Sequence, residues 1–436
     1  MTRGGRAPAP VTARGVALEV IGRVVDEGAY SNRVLPAALA RSGLDRRDRA
    51  FATELAYGTL RSLLRLDHAI GMAARRPVDR MTPGARHALR LGAYQVLEAG
   101  VAPHAAVGET VELAAPKERG FVNAVLRRLA VDGASPPDGT RDEDVAVRTG
   151  LAPWAIRELR RLVGDEAEAA AAALASRGPL TLRVNPCRTS PEDLRRRLAG
   201  AGVTALPGTI DPRSLVVDGG GDPAGFPGFD DGAFAVQDQA SAFVARLVGA
   251  SSGERVLDAC AAPGGKAAAL ACAVGPDGTV VAADVAPGRT GLIVDAAARL
   301  RERVHVVTAD ARAPAVRGPF DSVLVDAPCS GIGSARRRPE LLWRVPPRAL
   351  SQLARLQVAI AVASADLLRP GGRLVYSVCT FPRAETDAAS DAILRHRSDL
   401  RPIETEGPGG PAFRHRLWPH LHGTDGMFVA AFERRG

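Results

Sequence analysis

ERVLDACAAPGGKAAAL, Glu254 to Leu270, carries a short β-rich run through a tight glycine turn into an alanine-rich helix. Four further β-rich runs follow: TVVAADV (279–285), VHVVTAD (304–310), FDSVLVDAP (320–328) and GRLVYSV (372–378). Helical stretches such as RTGLIVDAAARLRER (289–303) and ALSQLARLQVAIAVASADLLRP (349–370) lie between them. This alternation predicts an open, mostly parallel Rossmann-like α/β sheet with helices on both faces. MFVAAFER (427–434) is placed to complete it. Ligands of such sheets sit beyond the carboxyl ends of the strands.

The turn itself narrows the ligand. A phosphate loop GxxxxGK[ST] needs glycine at 260 and Ser or Thr at 267, where the chain has Cys260 and Ala267. A GxGxxG fingerprint fails as well, because only the adjacent pair Gly264-Gly265 is present. A nucleoside without phosphates, such as S-adenosylmethionine, needs no pyrophosphate cradle and is compatible with the turn. Asp284 follows the glycines by about twenty residues, the distance at which a strand-end acid meets ribose hydroxyls. Asp310 closes the next run and is placed to reach an adenine edge. An aspartate after a strand is often only a turn former, but three successive strand ends carrying acids or the glycine turn favour a ligand.

Two cysteines sit at equivalent places. LVDAPCSG (324–331) and VYSVCTFP (375–382) each end a β-rich run just before a thiol, Cys329 and Cys379. Methylation of oxygen or nitrogen needs a base, whereas C5 of a pyrimidine is a poor nucleophile until the ring is activated. A thiolate adding to C6 makes C5 enamine-like, and loss of the C5 proton after methylation expels the thiol. Asp326, beside Pro328-Cys329, is placed to bond the N3 edge of the ring.

Upstream, residues 12–130 read as helices throughout, with Ala17, Ile21, Val24 and Val25 on one face of GVALEVIGRVVDEG. Arg46, Arg47, Arg49, Arg61 and Arg65 fall along one segment. The net charge of +9 is uneven: residues 1–130 hold 20 Arg/Lys and 12 Asp/Glu, a surplus of +8, and the remainder contributes +1. A negatively charged partner such as nucleic acid is expected. DGASPPDGTRDED (132–144) reads as a linker, and 150–235 mixes helices with the strand LTLRVNP as a small α/β piece. Three segments are therefore expected: an all-α domain (1–135), a small α/β segment (145–235) and a catalytic domain (236–436).

Of 57 basic residues only Lys117 and Lys266 are lysine, so Lys266 stands where arginine would not serve. The five cysteines (187, 260, 272, 329, 379) are odd in number and widely spaced, which argues against a disulfide framework or a thiolate metal site. Cys187 and Cys272 read as small packing residues. His415, His420 and His422 read as parts of a structural turn rather than metal ligands. No signal peptide or apolar span is evident, and a cytoplasmic protein is expected.

DACAAPGGKA, DAPCSGIG, RRRPELLW, VYSVCTFPRAE and HGTDGMFVAAF resemble, in order, the signature blocks of the Sun/Fmu-type RNA cytosine-5 methyltransferases. FVNAVLRRL and the helical first third resemble the NusB-like RNA-binding domain of the bacterial small-subunit rRNA member. The resemblance implies a Rossmann-like methyltransferase domain, an all-α NusB-like domain and a small α/β segment that positions RNA. It implies Cys379 as nucleophile and Cys329 as the residue that resolves the adduct, with Asp326 beside the target base. Cys260, Ala261, Ala262, Pro263, Gly264, Gly265, Lys266, Asp284, Asp310 and Asp326 would line the S-adenosyl-L-methionine site. A monomer acting on small-subunit rRNA, naked or partly assembled, without metal or membrane, is expected. The rival readings are a non-catalytic ribosome assembly factor, and a cytosine-5 methyltransferase of other RNA or DNA that would use Cys329 as nucleophile. The chain departs from the family pattern at Val378 and Thr380 flanking Cys379, at Arg338 and Glu340 flanking Pro339, and at Thr386 after Glu385. Arg336, Arg337 and Arg338 are expected to meet RNA phosphates.

Overall fold

The computed structural model describes residues 11–219 and 221–436; the arginine- and proline-rich start, residues 1–10, lies outside them. Two compact units account for the chain: one runs through Ser176 and includes Ala335–Arg344, the other comprises Arg177–Ser334 and Val345–Gly436. This division cuts across the three consecutive segments read from the sequence. The helices Asp142–Thr149, Pro153–Val163 and Ala167–Ala175 go with the helical unit. The strands of the small α/β piece go with the large sheet.

The first unit is helical among its described residues. Its opening helix, Ala13–Val25, begins where the Thr12 side chain accepts a hydrogen bond from the Gly15 amide. The helix buries Val16, Ala17, Val20, Ile21 and Val24, a 3–4 residue spacing that puts one apolar stripe into the core. The decapeptide Ala335–Arg344 is built into this unit. Trp343 Nε1 donates to Leu60 O (2.9 Å), and Arg344 donates to the carbonyls of Val24 (2.6 Å) and Ala29 (2.9 Å). Buried Glu340 accepts from both the amide (3.1 Å) and the hydroxyl (2.6 Å) of Ser31, the first residue of the helix Ser31–Ser42. A carboxylate there satisfies otherwise unpaired N-terminal donors and the positive end of the helix dipole. The departure at Glu340 is thus a structural bond. Arg336 is buried and Arg337 and Arg338 are half-buried.

Among its described residues the second unit holds twelve strands. A small antiparallel sheet in the order β2-β3-β1-β4 comprises β1 (Leu180–Val184), β2 (Ala205–Pro207), β3 (Ser214–Val217) and β4 (Phe234–Val236). The large sheet comprises β5 (Arg255–Asp258), β6 (Thr279–Asp284), β7 (His305–Thr308), β8 (Phe320–Asp326), β9 (Leu368–Val378), β10 (Leu400–Pro402), β11 (Arg414–Leu417) and β12 (Met427–Arg434). Its order is β10-β12-β9-β8-β5-β6-β7, with β11 on β12. The pairs among β5–β9 are parallel, and β12 runs antiparallel to β9, as the last apolar run allows. Residues of β12 alternate between two cores: Met427, Val429 and Ala431 on one face, Phe428, Ala430 and Phe432 on the other. Both faces are covered, which explains why these strands read as continuous apolar runs.

One cysteine reading is overturned. Cys187, in the turn after β1, and Cys272, on the helix Gly265–Val274, are joined by a disulfide rather than packed without partners. They lie 85 residues apart, and nothing in their spacing announces that the fold closes one onto the other. No helix among the described residues is long and apolar enough to cross a membrane.

Candidate active site

The chain leaves β5 toward β6 and β7 on one side and returns to β8 and β9 on the other, so the strand order switches between β5 and β8. The crevice at such a switch, beyond the carboxyl ends, is the binding position of open α/β sheets. Asp258 ends β5 and Asp326 ends β8. Gly264 makes the turn at φ +105°, and a Cβ there would lie 2.9 Å from Ile293 Cα, so only glycine fits. The helix that follows brings Lys266 Nζ to 2.6 Å from Asp326 Oδ2, and Ser377 Oγ donates to Asp326 Oδ1 at 2.8 Å. The structure thus brings the two sequence candidates Lys266 and Asp326 into one ion pair.

Sequence reasoning passed over Asp258, although it is the first letter of DACAAPGGK. Both of its carboxylate oxygens are buried without a hydrogen bond of ordinary geometry. Burial first, and then the charge of Asp326, push Asp258 from 3.8 up to about 7 against the opposing pull of Lys266. A buried carboxylate without hydrogen-bond partners is costly, and one on the strand that leads into a glycine turn suits a ligand with a cationic amine. The folded-state value is raised, so this group's stabilising contribution is whole below the unfolded value near 3.8. It is lost as pH rises through 7, a change of about 4 kcal/mol. Asp258→Asn is therefore expected to be more stable than the wild type at about pH 8 in cofactor-free urea melts, and similar at about pH 4. Equal stability at both pH values would show that Asp258 is already ionised and partnered.

Asp284 ends β6, nearly buried, with Oδ1 accepting from the Ala286 amide (3.2 Å) and Oδ2 3.3 Å from Arg289 Nε. Asp310 lies two residues past β7 and is gripped by Arg312 through two nitrogens (2.6–3.1 Å). That side-chain bond holds Asp310 down at about 2. Ala261 is buried and Cys260 and Ala262 are half-buried, packed into the cores beneath the turn. Burial drives the Cys260 thiol well above its ordinary range. If Asp284 bonds ribose, Asp284→Ala weakens S-adenosylmethionine binding by about 1.5–3 kcal/mol; calorimetry with unchanged affinity would leave it a turn residue.

The two thiols meet. Cys329 follows β8 and Cys379 follows β9, and parallel pairing of these strands sets their sulfurs 3.4 Å apart. A layer of buried polar groups holds both loops. Glu385 Oε1 accepts from the Ser330 amide (2.8 Å) and Gln357 Nε2 (2.9 Å), while Oε2 accepts from Ser330 Oγ (2.6 Å). Ser330 and Thr380 hydroxyls lie 2.6 Å apart, tying the Cys329 loop to the residue after Cys379. Tyr376 OH donates to Glu385 O (2.6 Å). Burial raises Glu385, partly offset by these donors. Gly333 donates its amide to Cys379 O (3.0 Å), and a Cβ there would lie 2.1 Å from Gly426 O, which fixes the glycines of both blocks.

The protonation states of the pair follow from their neighbours. The hydrogen bond to Cys379, and then burial, raise Cys329 far above an ordinary thiol, so Cys329 keeps its proton. Burial alone would depress Lys266, but the charges of Asp326, Asp258 and Cys379 outweigh it and raise Lys266. The Lys266 cation therefore acts on Cys379 as well as on its partner Asp326. The histidines are engaged elsewhere: His415 Nε2 lies 2.8 Å from Thr405 O, and His422 Nδ1 accepts from the Trp418 amide (2.9 Å).

A switch-point crevice with a glycine turn and strand-end acids fits a Rossmann-like methyltransferase. A solved structure, PH0851, supports the fold at TM-score 0.83 over 99% of this chain and 100% of that chain, with 24% identity. Family profiles match three stretches: 16S rRNA methyltransferase RsmB/F over 245–433, the NusB family over 11–131, and the RsmF/B-like ferredoxin-like domain over 152–222. A Mycobacterium tuberculosis protein named as methyltransferase MT1451 is 38% identical over 99% of both chains. A Shigella flexneri protein named ribosomal RNA small subunit methyltransferase B is 31% identical over 96% of this chain and 97% of its own. The chain belongs to the RsmB/F family of rRNA methyltransferases and is a methyltransferase enzyme.

Proposed function

We propose that this enzyme methylates C5 of a cytosine in small-subunit rRNA through a covalent bond between Cys379 and C6. The observation that carries this reading is the pair of sulfurs 3.4 Å apart, one of them interacting with the Lys266 cation. S-adenosylmethionine, when bound, supplies an electrophilic methyl group. The residues present fit it: Asp258 is a carboxylate without hydrogen-bond partners, suited to its amine, Asp284 ends β6 where a ribose contact is expected, Cys260 to Lys266 form the turn, and Asp310 follows β7.

Cys379 Sγ, as thiolate, forms the bond to C6, and the ring electrons move to C5. Asp326, held by Lys266 and Ser377, is placed to accept from the amine beside N3, and the Lys266 ammonium next to it offsets the charge that shifts to the N3 edge. After C5 has taken the methyl group, its proton must leave before the C6–S bond can break. Once Cys379 is bonded to carbon it no longer holds the Cys329 hydrogen; Cys329 passes that proton to solvent and, as thiolate facing the adduct, takes the C5 proton. The electrons of the C5–H bond re-form the ring double bond, and Cys379 departs as thiolate. The cytosine must leave its stack to reach these sulfurs, so loosely structured RNA is the expected substrate. The surplus of +8 in residues 1–130 supports an RNA partner, and Arg46 and Arg47 are exposed on the helical unit.

Bisulfite sequencing of total RNA from a deletion strain tests the substrate. A single small-subunit rRNA cytosine that loses protection, and regains it on complementation, is expected. Protection lost only in another RNA, or unchanged everywhere, would overturn the assignment.

A further inference from the structure

The disulfide between Cys187 and Cys272 has no part in the chemistry above, yet it lies on the helix that opens with the cofactor turn. Their Cα atoms are 5.9 Å apart, a normal span for a disulfide. The turn that carries Cys187 grips the same helix and its neighbour at several other points. Arg183, buried on β1, donates through Nη2 to Gly265 O (3.1 Å) and through Nε to Gln237 Oε1 (2.5 Å). Asn185 Nδ2 lies 3.2 Å from Leu300 O and 2.9 Å from Glu302 Oε1, and Arg188 Nη2 donates to Arg301 O (2.9 Å). Residues 183–188 therefore hold the helix Gly265–Val274 at both ends, by a hydrogen bond at Gly265 and by the covalent bond at Cys272.

We propose that Cys187–Cys272 is a reversible redox clasp that tightens the cofactor turn when oxidised and loosens it when reduced. Cys187 is exposed and Cys272 half-buried, so a small thiol can reach the bond, whereas Cys260, Cys329 and Cys379 are outside any disulfide. In the closing step two thiols lose two protons and two electrons to a low-molecular-weight disulfide, which leaves as two thiols. The opening step is its reverse. The effect on the turn rests on the cofactor reading above; the existence of the clasp does not. Both sulfurs and a Glu302 carboxylate oxygen also lie within 4.8 Å of one another, so a bound metal ion is the competing occupant of the reduced pair.

The test uses the full chain purified without reductant. Free thiols are alkylated with iodoacetamide under denaturing conditions, then disulfides are reduced, labelled with N-ethylmaleimide and mapped by mass spectrometry. Cys187 and Cys272 are expected to carry the second label and the other three cysteines the first. After equilibration with reduced glutathione all five should carry the first label, and return to oxidised glutathione should restore the pattern. Reduction should lower the thermal midpoint by roughly 5–10 °C, because the bond closes an 85-residue loop. It should weaken S-adenosylhomocysteine binding about fivefold or more, and Cys187→Ser should bind at the weaker level in both states. First label on both residues in the oxidised protein, a redox-independent midpoint and affinity, or stoichiometric zinc would each overturn the proposal. No ligand binding in either state would overturn the cofactor reading instead, with labelling and midpoint still deciding the clasp.

Discussion

Cys379→Ala is expected to abolish methyl transfer, by roughly 10⁴-fold or more, and to form no covalent complex with RNA, whereas Cys329→Ala should still add and methylate but accumulate the complex. The asymmetry follows from which sulfur holds the shared proton. Cys379 lies under the influence of Lys266, and Cys329 keeps its hydrogen through the bond to Cys379. Removing Cys329 removes the base that must take the C5 proton, so the adduct survives denaturing electrophoresis. A DNA-type mechanism reverses the pair, leaving Cys329→Ala inert and Cys379→Ala largely active. A structural or metal-binding thiol pair makes the two variants behave alike. RNA containing 5-fluorocytosine cannot lose its C5 substituent as a proton and should trap the wild type. Peptide mapping that places this cross-link on Cys329 would falsify the assignment.

The catalytic sheet was legible because buried parallel strands leave unbroken apolar runs, and each of the five read from the sequence falls on one of β5–β9. Short strands such as β2, β4 and β10 hold three residues each and leave no such signal. Cys329 and Cys379 stood out because a thiol directly after an apolar run is unusual. Their shared polar layer did not, since Gln357, Tyr376 and Glu385 come from three different elements and meet only through the fold. The same holds for Glu340, whose partner Ser31 is 309 residues away. Asp258 was hidden differently. A carboxylate ending a strand looks like any turn former, and only its burial without partners marks it out.

Lys266→Met is expected to lower methylation by about 10³-fold, with an outcome that separates an electrostatic role from a purely structural one. In the wild type the ammonium lies 2.6 Å from Asp326 and interacts with Cys379, with Asp258 also contributing. Its loss leaves Asp326 without its cation and withdraws the charge that favours the Cys379 thiolate. Breaking a fully buried pair costs about 3–5 kcal/mol and this part-buried one less, so folding must be checked by thermal melts before rates are compared. The thiolate fraction of Cys379 should fall at neutral pH and recover as pH rises. Methylation by the variant, and its alkylation by iodoacetamide at Cys379, should then climb together toward alkaline pH, while the wild type is already near its plateau. Lys266→Arg keeps the charge, but it must fit a planar fork where a single ammonium is buried against one carboxylate oxygen. Little rescue is expected, which would explain why one of the two lysines in an arginine-dominated chain is kept here. A folded Lys266→Met with a wild-type pH profile and wild-type Cys379 alkylation would show that the thiolate owes nothing to this cation.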